Sequence, residues 1–281
     1  MRGKKSLLVV ILASVLALFT SMISSVAQAQ TSTIVISNGI KLVAQPDASG
    51  AYCTMGPVGT DSAGRKVGIT AGHCWGANGS YPGTTTNNEV PVYAASNVAF
   101  GPIGYLRWAT PAADQAYKDY MVIQFVDNVV LSSQGPKLKI TGIVSLGADV
   151  GGTDPDPQLN LLGAAFYNNN VLKVAGATTV NTTTGRITNN SNGLYQSWAA
   201  HSAGDSGGAA VWGPLDKNPT AANGYTADGK WAAITTRIAF GIPPYVYTSS
   251  ANILRDLKQR DAASGYNGSV VGAGFATTTN P

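Results

Sequence analysis

The stretch "VGITAGHCWG", residues 67–76, carries one of the chain's two histidines and one of its two cysteines side by side. Val67 to Thr70 is a β-branched run of the kind that fills buried strands, and the Thr-Ala-Gly that follows reads as a turn. His73 is therefore predicted at the end of a strand, where an imidazole can be presented to a cleft. Cys74, directly after it, is placed to tie that turn to the other cysteine, Cys53. In an exported protein two cysteines most simply form one disulfide.

Export is itself legible. Residues 1–29 begin with the cationic "MRGKK", continue through a long apolar run and end in "AQA", the pattern of a cleaved secretory signal. An uncleaved anchor is the alternative, because the apolar run approaches the ~20 residues that span a bilayer. Cleavage removes three of the 18 basic residues and leaves 15 against 14 acidic ones, a net charge of +1. A near-neutral chain has no electrostatic case for nucleic acid or for a membrane surface after cleavage. The expected form is an extracellular monomer.

The rest of the composition belongs to strands and turns. With 33 glycines and only 11% charged residues, the chain suits an all-β protein better than a helical one. "EVPVYAAS", "IGYLRWA", "DYMVIQFV", "LKITGIVSL", "VLKVAGATTV", "GAAVWG" and "WAAITTRIAF" read as short strands between Gly-, Asn- and Pro-rich turns. This spacing predicts a sandwich or a pair of barrels. One helix is expected in "SSANILRDLKQRDAASG", with a serine cap at Ser249 or Ser250 and Gly265 after its end. The final "ATTTNP" reads as a loose tail.

No metal or cofactor is expected. Two histidines without a Cys-x-x-Cys pair make no dedicated zinc site. Asp149, Asp154 and Asp156 in "GADVGGTDPDP" are a calcium candidate, although such Asp-Pro-Gly clusters are ordinarily solvated turns.

A second motif gives the histidine a partner. In "HSAGDSGGAAV", 201–211, Ser206 lies among glycines that permit unusual dihedrals. A serine hydroxyl needs a base to take its proton and N–H donors to hold the oxyanion that forms. His73 is the candidate base. Asp119, at the head of "DYMVIQF", is the candidate to orient the imidazole, with Asp114 as its competitor.

"TAGHC", then "DYMVI", then "GDSGG", in that order, resemble the trypsin/chymotrypsin family of serine proteases, and its secreted bacterial members in particular. "PPYVYTSSANIL" is similar to the family's Pro-Gly-Val-Tyr strand and C-terminal helix, and "LKVAGATTVNTTTGRI" to its Gly/Thr-rich strand pair. The resemblance spans roughly residues 50–260. It implies two packed six-stranded antiparallel β-barrels with a short C-terminal helix: a first barrel over 30–131, a second with the helix over 132–262, and a tail over 263–281. It also implies that His73 is the base, Asp119 its partner, Ser206 the nucleophile, and the N–H groups of Gly204 and Ser206 the oxyanion hole. Asp205 is expected to be a buried structural carboxylate, with Lys173 or Arg186 as its basic partner.

Specificity is expected to depart from Lys/Arg cleavage. Ala200 stands where members that cut after Lys or Arg carry an aspartate, so a buried substrate cation would be unpaired. Ala200, His201, Thr236, Ile238 and Tyr245 are the candidate pocket residues, and bulky Ile238 and Tyr245 imply a shallow pocket for small or medium apolar side chains. His201 is either part of the pocket wall or an acceptor site for a substrate carboxylate. With the family's other disulfides missing, the serine loop is expected to be held by packing alone. The expected function is a secreted serine endopeptidase acting on protein or peptide substrates. The rivals are a catalytically silent binding or adhesion protein of the same fold, and an esterase using the same three residues.

Overall fold

Strand 121–125 shows how the chain is organised, because both of its faces are buried. Met121, Ile123 and Phe125 point into one apolar cluster, while Tyr120 and Val122 point into another. Alternation with period two sends successive side chains to opposite faces, so a strand between two cores reads as continuously apolar. The computed structural model describes residues 33–47, 50–75, 90–136, 138–143, 170–174, 183–191, 193–214, 227–240 and 244–281, with backbone alone for 170–174, 183–191, 212–214 and 227–228. The expected signal at 1–29 and the calcium candidates lie outside these residues, as do the side chains of Lys173 and Arg186. Among the described residues no helix is long and apolar enough to cross a membrane.

The first core is enclosed by a closed sheet. β1 (Ile34–Ser37) precedes it, and the ring begins with β2 (Lys41–Val43), β3 (Tyr52–Thr54), β4 (Val58–Thr60) and β5 (Lys66–Thr70). It continues with β6 (Pro91–Ala94), β7 (Gly104–Ala109) and β8 (Met121–Phe125). Antiparallel pairing runs from β4 through β5, β8, β7, β6 and β2 to β3. β3 and β4 are two halves of one bent run: the Met55 N–H donates to Ile40 O, and the next N–H, of Gly56, to Ile69 O. The sheet therefore closes on itself as six strands. Ile36, Leu42, Met55, Val92, Ile103, Met121 and Ile123 fill it.

The second sheet closes in the same way. After β9 (Val129–Ser132) and β10 (Leu138–Ile143) come β11 (Asn170–Val174), β12 (Thr183–Ser191) and β13 (Leu194–Ser197). β14 (Ala209–Pro214), β15 (Ala227–Ile238) and β16 (Tyr245–Ser249) complete it. Pairing runs β15, β14, β11, β12, β13, β16 and back to β15. Each ring thus has the six antiparallel strands expected. Two pairs are parallel: β1 with β9, both outside the rings, and β10 with the ring strand β15.

The core of Tyr120 and Val122 is the seam. Val67, Ile69, Tyr120 and Val122 of the first barrel meet Ala209, Val211, Trp231 and Ile234 of the second. Ile253 and Leu257 of the helix α1 (Ser250–Ala263) close its end. The Ser249 side chain caps α1 by accepting from the Asn252 N–H at 3.1 Å, and Gly265 beyond its end adopts φ +77°.

The tail is not loose. Phe275 is buried against Trp231, and β17 (Ala276–Thr277) pairs antiparallel with β4. The Ser133 N–H donates to Asn280 O at 2.8 Å. "ATTTNP" has too few apolar residues to announce a strand; an edge left open by β4 supplies the partner.

Candidate active site

His73 sits in a single 3₁₀ turn, Gly72–Cys74, directly after β5. Two covalent and steric features hold it. The disulfide Cys53–Cys74, expected from sequence, is formed and joins the turn to β3. A Cβ on Gly72 would lie 2.8 Å from Tyr120 O and 3.0 Å from Asp119 Oδ1, so glycine lets this turn pack directly on the head of β8. Asp119, buried at that head, uses both oxygens on His73. Oδ1 accepts the backbone N–H at 2.9 Å and Oδ2 meets Nδ1 at 2.6 Å.

Nε2 of His73 lies 2.9 Å from Ser206 Oγ. With a carboxylate accepting at Nδ1, the ring proton sits there and Nε2 is left to accept from the serine hydroxyl. Burial alone lowers the His73 pKa. The hydrogen bond and the charge of Asp119 outweigh it against a small opposing effect of Arg237, so the net shift is upward from 6.5.

The serine loop is not held by packing alone, contrary to expectation. Thr54, next to the disulfide, donates its N–H to Ser206 O and its Oγ1–H to Gly204 O, both at 2.8 Å. On the other side the Gly207 N–H donates to Thr235 O at 2.8 Å. The N–H groups of residues 205 and 208 are turned back into the loop, onto Ser202 O and Asp205 O. Gly204 takes φ +91°. Its N–H and that of Ser206 donate to no acceptor among the described residues. Asp205 is fully buried, and its Oδ2 accepts the Ser202 N–H at 2.8 Å.

A cleft of about 600 Å³ opens beside Ser206. Of the five pocket candidates it takes in His201, Thr236 and Ile238, but not Ala200 or Tyr245. Ile238 is an exposed rim residue, while Tyr245 packs against His201 with the rings tilted at 59° and their centroids 5.2 Å apart. Thr236 is buried and hydrogen-bonded to Thr248 at 2.7 Å. Sequence reasoning missed Gln115, Ala116 and Arg237, which also line the cleft. Arg237 donates to Gln115 O at 3.1 Å and Ala116 O at 3.0 Å, bringing a cation from β15 to the loop that precedes Asp119. The sign available in the sequence was an arginine following the run of small, apolar and threonine residues at 231–236.

His201 is buried at 6% exposure, and its Nε2 has no hydrogen-bond partner among the described residues. Burial pulls its pKa down to about 4 against the opposing charge of Asp205. A histidine kept neutral in the fold but free to protonate when unfolded stabilises the fold above pH 6.5, and that stabilisation is lost as pH falls toward 4. The whole window corresponds to about 3 kcal/mol. Urea unfolding at pH 7 and at pH 4.5 should show most of this loss in the parent and a smaller loss in His201→Gln. Equal losses in both proteins would remove His201 as the cause.

No family model matches the chain, and no curated protein matches it. Solved structures do. A Nocardiopsis protease is 15% identical, with 79% of this chain and 96% of that chain covered, at a TM-score of 0.47. A Cellulomonas bogoriensis chymotrypsin is 18% identical over 79% and 96%, at 0.45. Protease A of Thermobifida fusca is 16% identical over 76% and 89%, at 0.43. The two closed six-stranded antiparallel rings are the fold the sequence predicts, and the cleft beside Ser206 is lined by residues of both.

Proposed function

We propose that the protein is a secreted serine endopeptidase. One observation carries this reading: an unbroken line of hydrogen-bonding groups from Asp119 through His73 to Ser206 at the edge of an open cleft. Ser206 Oγ attacks the scissile carbonyl carbon as its proton passes to His73 Nε2. The carbonyl electron pair moves to oxygen, where the Gly204 and Ser206 N–H groups stabilise it. Collapse expels the amine, which takes the proton from His73, and leaves an acyl ester on Ser206. Water then attacks that ester by the same proton path in reverse and frees the acid.

The cleft supports a preference other than Lys or Arg. Among the described lining residues the only carboxylate is Asp119, already engaged by His73, while Arg237 is a cation and His201 is neutral above pH 5. A substrate cation entering here would be desolvated without a partner. Small and medium side chains fit this reading best. The signal pattern at 1–29 and the disulfide support export.

Labelling with a fluorophosphonate tests the assignment. The secreted parent should take one label per chain, and Ser206→Ala and His73→Ala none. Labelling that persists in Ser206→Ala, or is absent from the parent, defeats it, the latter in favour of a silent binding protein. A peptide-library cleavage profile separates peptidase from esterase. Because His73 must be neutral to accept the proton and its pKa is raised, kcat/KM should climb with a midpoint above 6.5. A midpoint at or below 6.5 would contradict the pairing with Asp119.

A further inference from the structure

The segment carrying Asp119 belongs to the first barrel by sequence, yet most of its side-chain anchors come from the second half of the chain. Arg237 holds the carbonyls of residues 115 and 116. On α1, Asn252 Nδ2 donates to Tyr117 O at 3.0 Å. The Asp119 N–H donates to Thr248 Oγ1 at 3.3 Å. The two residues flanking Asp119 then converge on a single carboxylate: Lys118 Nζ donates to Asp256 Oδ1, and the Tyr120 hydroxyl to Asp256 Oδ2 at 2.5 Å. Asn252 and Asp256 are four residues apart and share one face of α1.

We propose that Asp256 is a positioning residue for the His73–Asp119 pair, clamping Lys118 and Tyr120 on either side of Asp119 from the C-terminal helix. Three charged or titratable groups face it. Lys118 is half-buried and balances its charge, Tyr120 is buried, and Arg260 reaches the Tyr120 hydroxyl at 3.4 Å while stacking 3.3 Å over Trp108. Burial and the Asp256 charge push the Tyr120 pKa well above its ordinary value, so this hydroxyl stays a donor throughout the working pH range. Asp256 touches neither His73 nor Ser206; it acts through the backbone of residues 118–120. That backbone is two-sided: Tyr120 N–H and O also pair with Thr110 in the first barrel, at 3.4 and 3.0 Å. Removing Asp256 frees one side only, so Asp119 shifts while the barrel stays folded.

This inference rests on the reading of Asp119 and His73 as catalytic partners, but its decisive readout does not need turnover. The groups facing His73 are Asp119, Arg237 and Ser206. Both upward influences on the His73 pKa come from Asp119, while burial and Arg237 act downward. A displaced Asp119 therefore lowers it. With only two histidines in the chain, NMR titration of the imidazoles resolves both, His201→Gln assigning them. In Asp256→Ala the His73 midpoint should fall toward or below 6.5 while that of His201 stays near 4. Asp256→Asn, which still offers an oxygen to Tyr120, should shift it less. Tyr120→Phe should shift it too, and the double variant Tyr120→Phe/Asp256→Ala no further than Asp256→Ala alone. On peptide substrate kcat should drop on the order of 10- to 100-fold, with KM within about twofold.

An unchanged His73 midpoint in folded Asp256→Ala overturns the proposal, as does a kcat loss matched by lost active-site titre alone. If Asp256→Ala fails to fold, Asp256→Asn and Tyr120→Phe decide by the same midpoint. A shifted midpoint in a chain that neither labels nor hydrolyses would reject the peptidase reading and leave the clamp standing.

Discussion

Asp119→Asn is expected to lower kcat about 10⁴-fold, the scale on which losing the orienting carboxylate acts in a serine–histidine–aspartate site. The cause is the proton's location rather than the loss of a contact. Asp119 Oδ2 accepts at 2.6 Å from Nδ1 of His73, which leaves Nε2 bare toward Ser206 Oγ. An asparagine that turns its amide N–H toward the ring makes Nδ1 the acceptor and puts the proton on Nε2. The serine hydroxyl then faces a donor and cannot be deprotonated. Asp119 Oδ1 also accepts the His73 backbone N–H at 2.9 Å, and an asparagine oxygen can keep that bond, so the fold should survive. Steady-state kinetics with an unchanged unfolding midpoint is the expected pair of results. A loss below tenfold would remove Asp119 from the mechanism.

Gly207→Ala should damage stability and chemistry together. Gly207 takes φ +83°, and a Cβ there would lie 1.9 Å from Thr70 Oγ1, 2.6 Å from Ala71 N and 2.7 Å from Thr54 O. Thr70 cannot simply swing away, because its hydroxyl donates to Thr54 O at 2.8 Å. The left-handed backbone costs about 1–2 kcal/mol for a residue with a Cβ, and overpacking adds about 1–3 kcal/mol. A loss on the order of 3–4 kcal/mol in denaturant unfolding is expected. Since the Gly207 N–H anchors the loop to Thr235 O, Ser206 moves as the clash is relieved, and fluorophosphonate labelling should slow at least about 100-fold. Gly64 is the control. Its φ is +76° but nothing lies within 4 Å of its Cβ position, so Gly64→Ala should cost only the backbone term and leave labelling intact. Equal effects at both glycines would show that crowding at the seam is not the cause.

The legible parts of this protein are those written in short windows. The β-branched run ending at Thr70, the apolar run in "DYMVIQF" and the cap before α1 are all local patterns, and each element lies where its pattern places it. Cys53 had one possible partner, so the disulfide followed from counting. His73, Asp119 and Ser206 each stand in a recognisable motif, and the structure brings these three together. β13 was missed, because "LYQS" is too short and too polar to read as a strand without β12 and β16 on either side. β17 was missed for the same reason, its partner being β4, some 200 positions earlier.

By itself the sequence determined most of the strands, the single helix, the cysteine pair and the residues able to move a proton, since these depend on residue type and near neighbours. Tertiary structure alone decided what holds those residues in register. Thr54 holds the serine loop from the opposite barrel, Arg237 reaches the loop before Asp119, and Asp256 braces the residues on either side of it. Each joins positions more than a hundred residues apart, through a hydroxyl, a guanidinium or a carboxylate that looks like any surface polar residue in sequence. Only closure of two barrels against one seam places those groups within 3 Å or so of their partners, because buried polar atoms there must find partners within the protein.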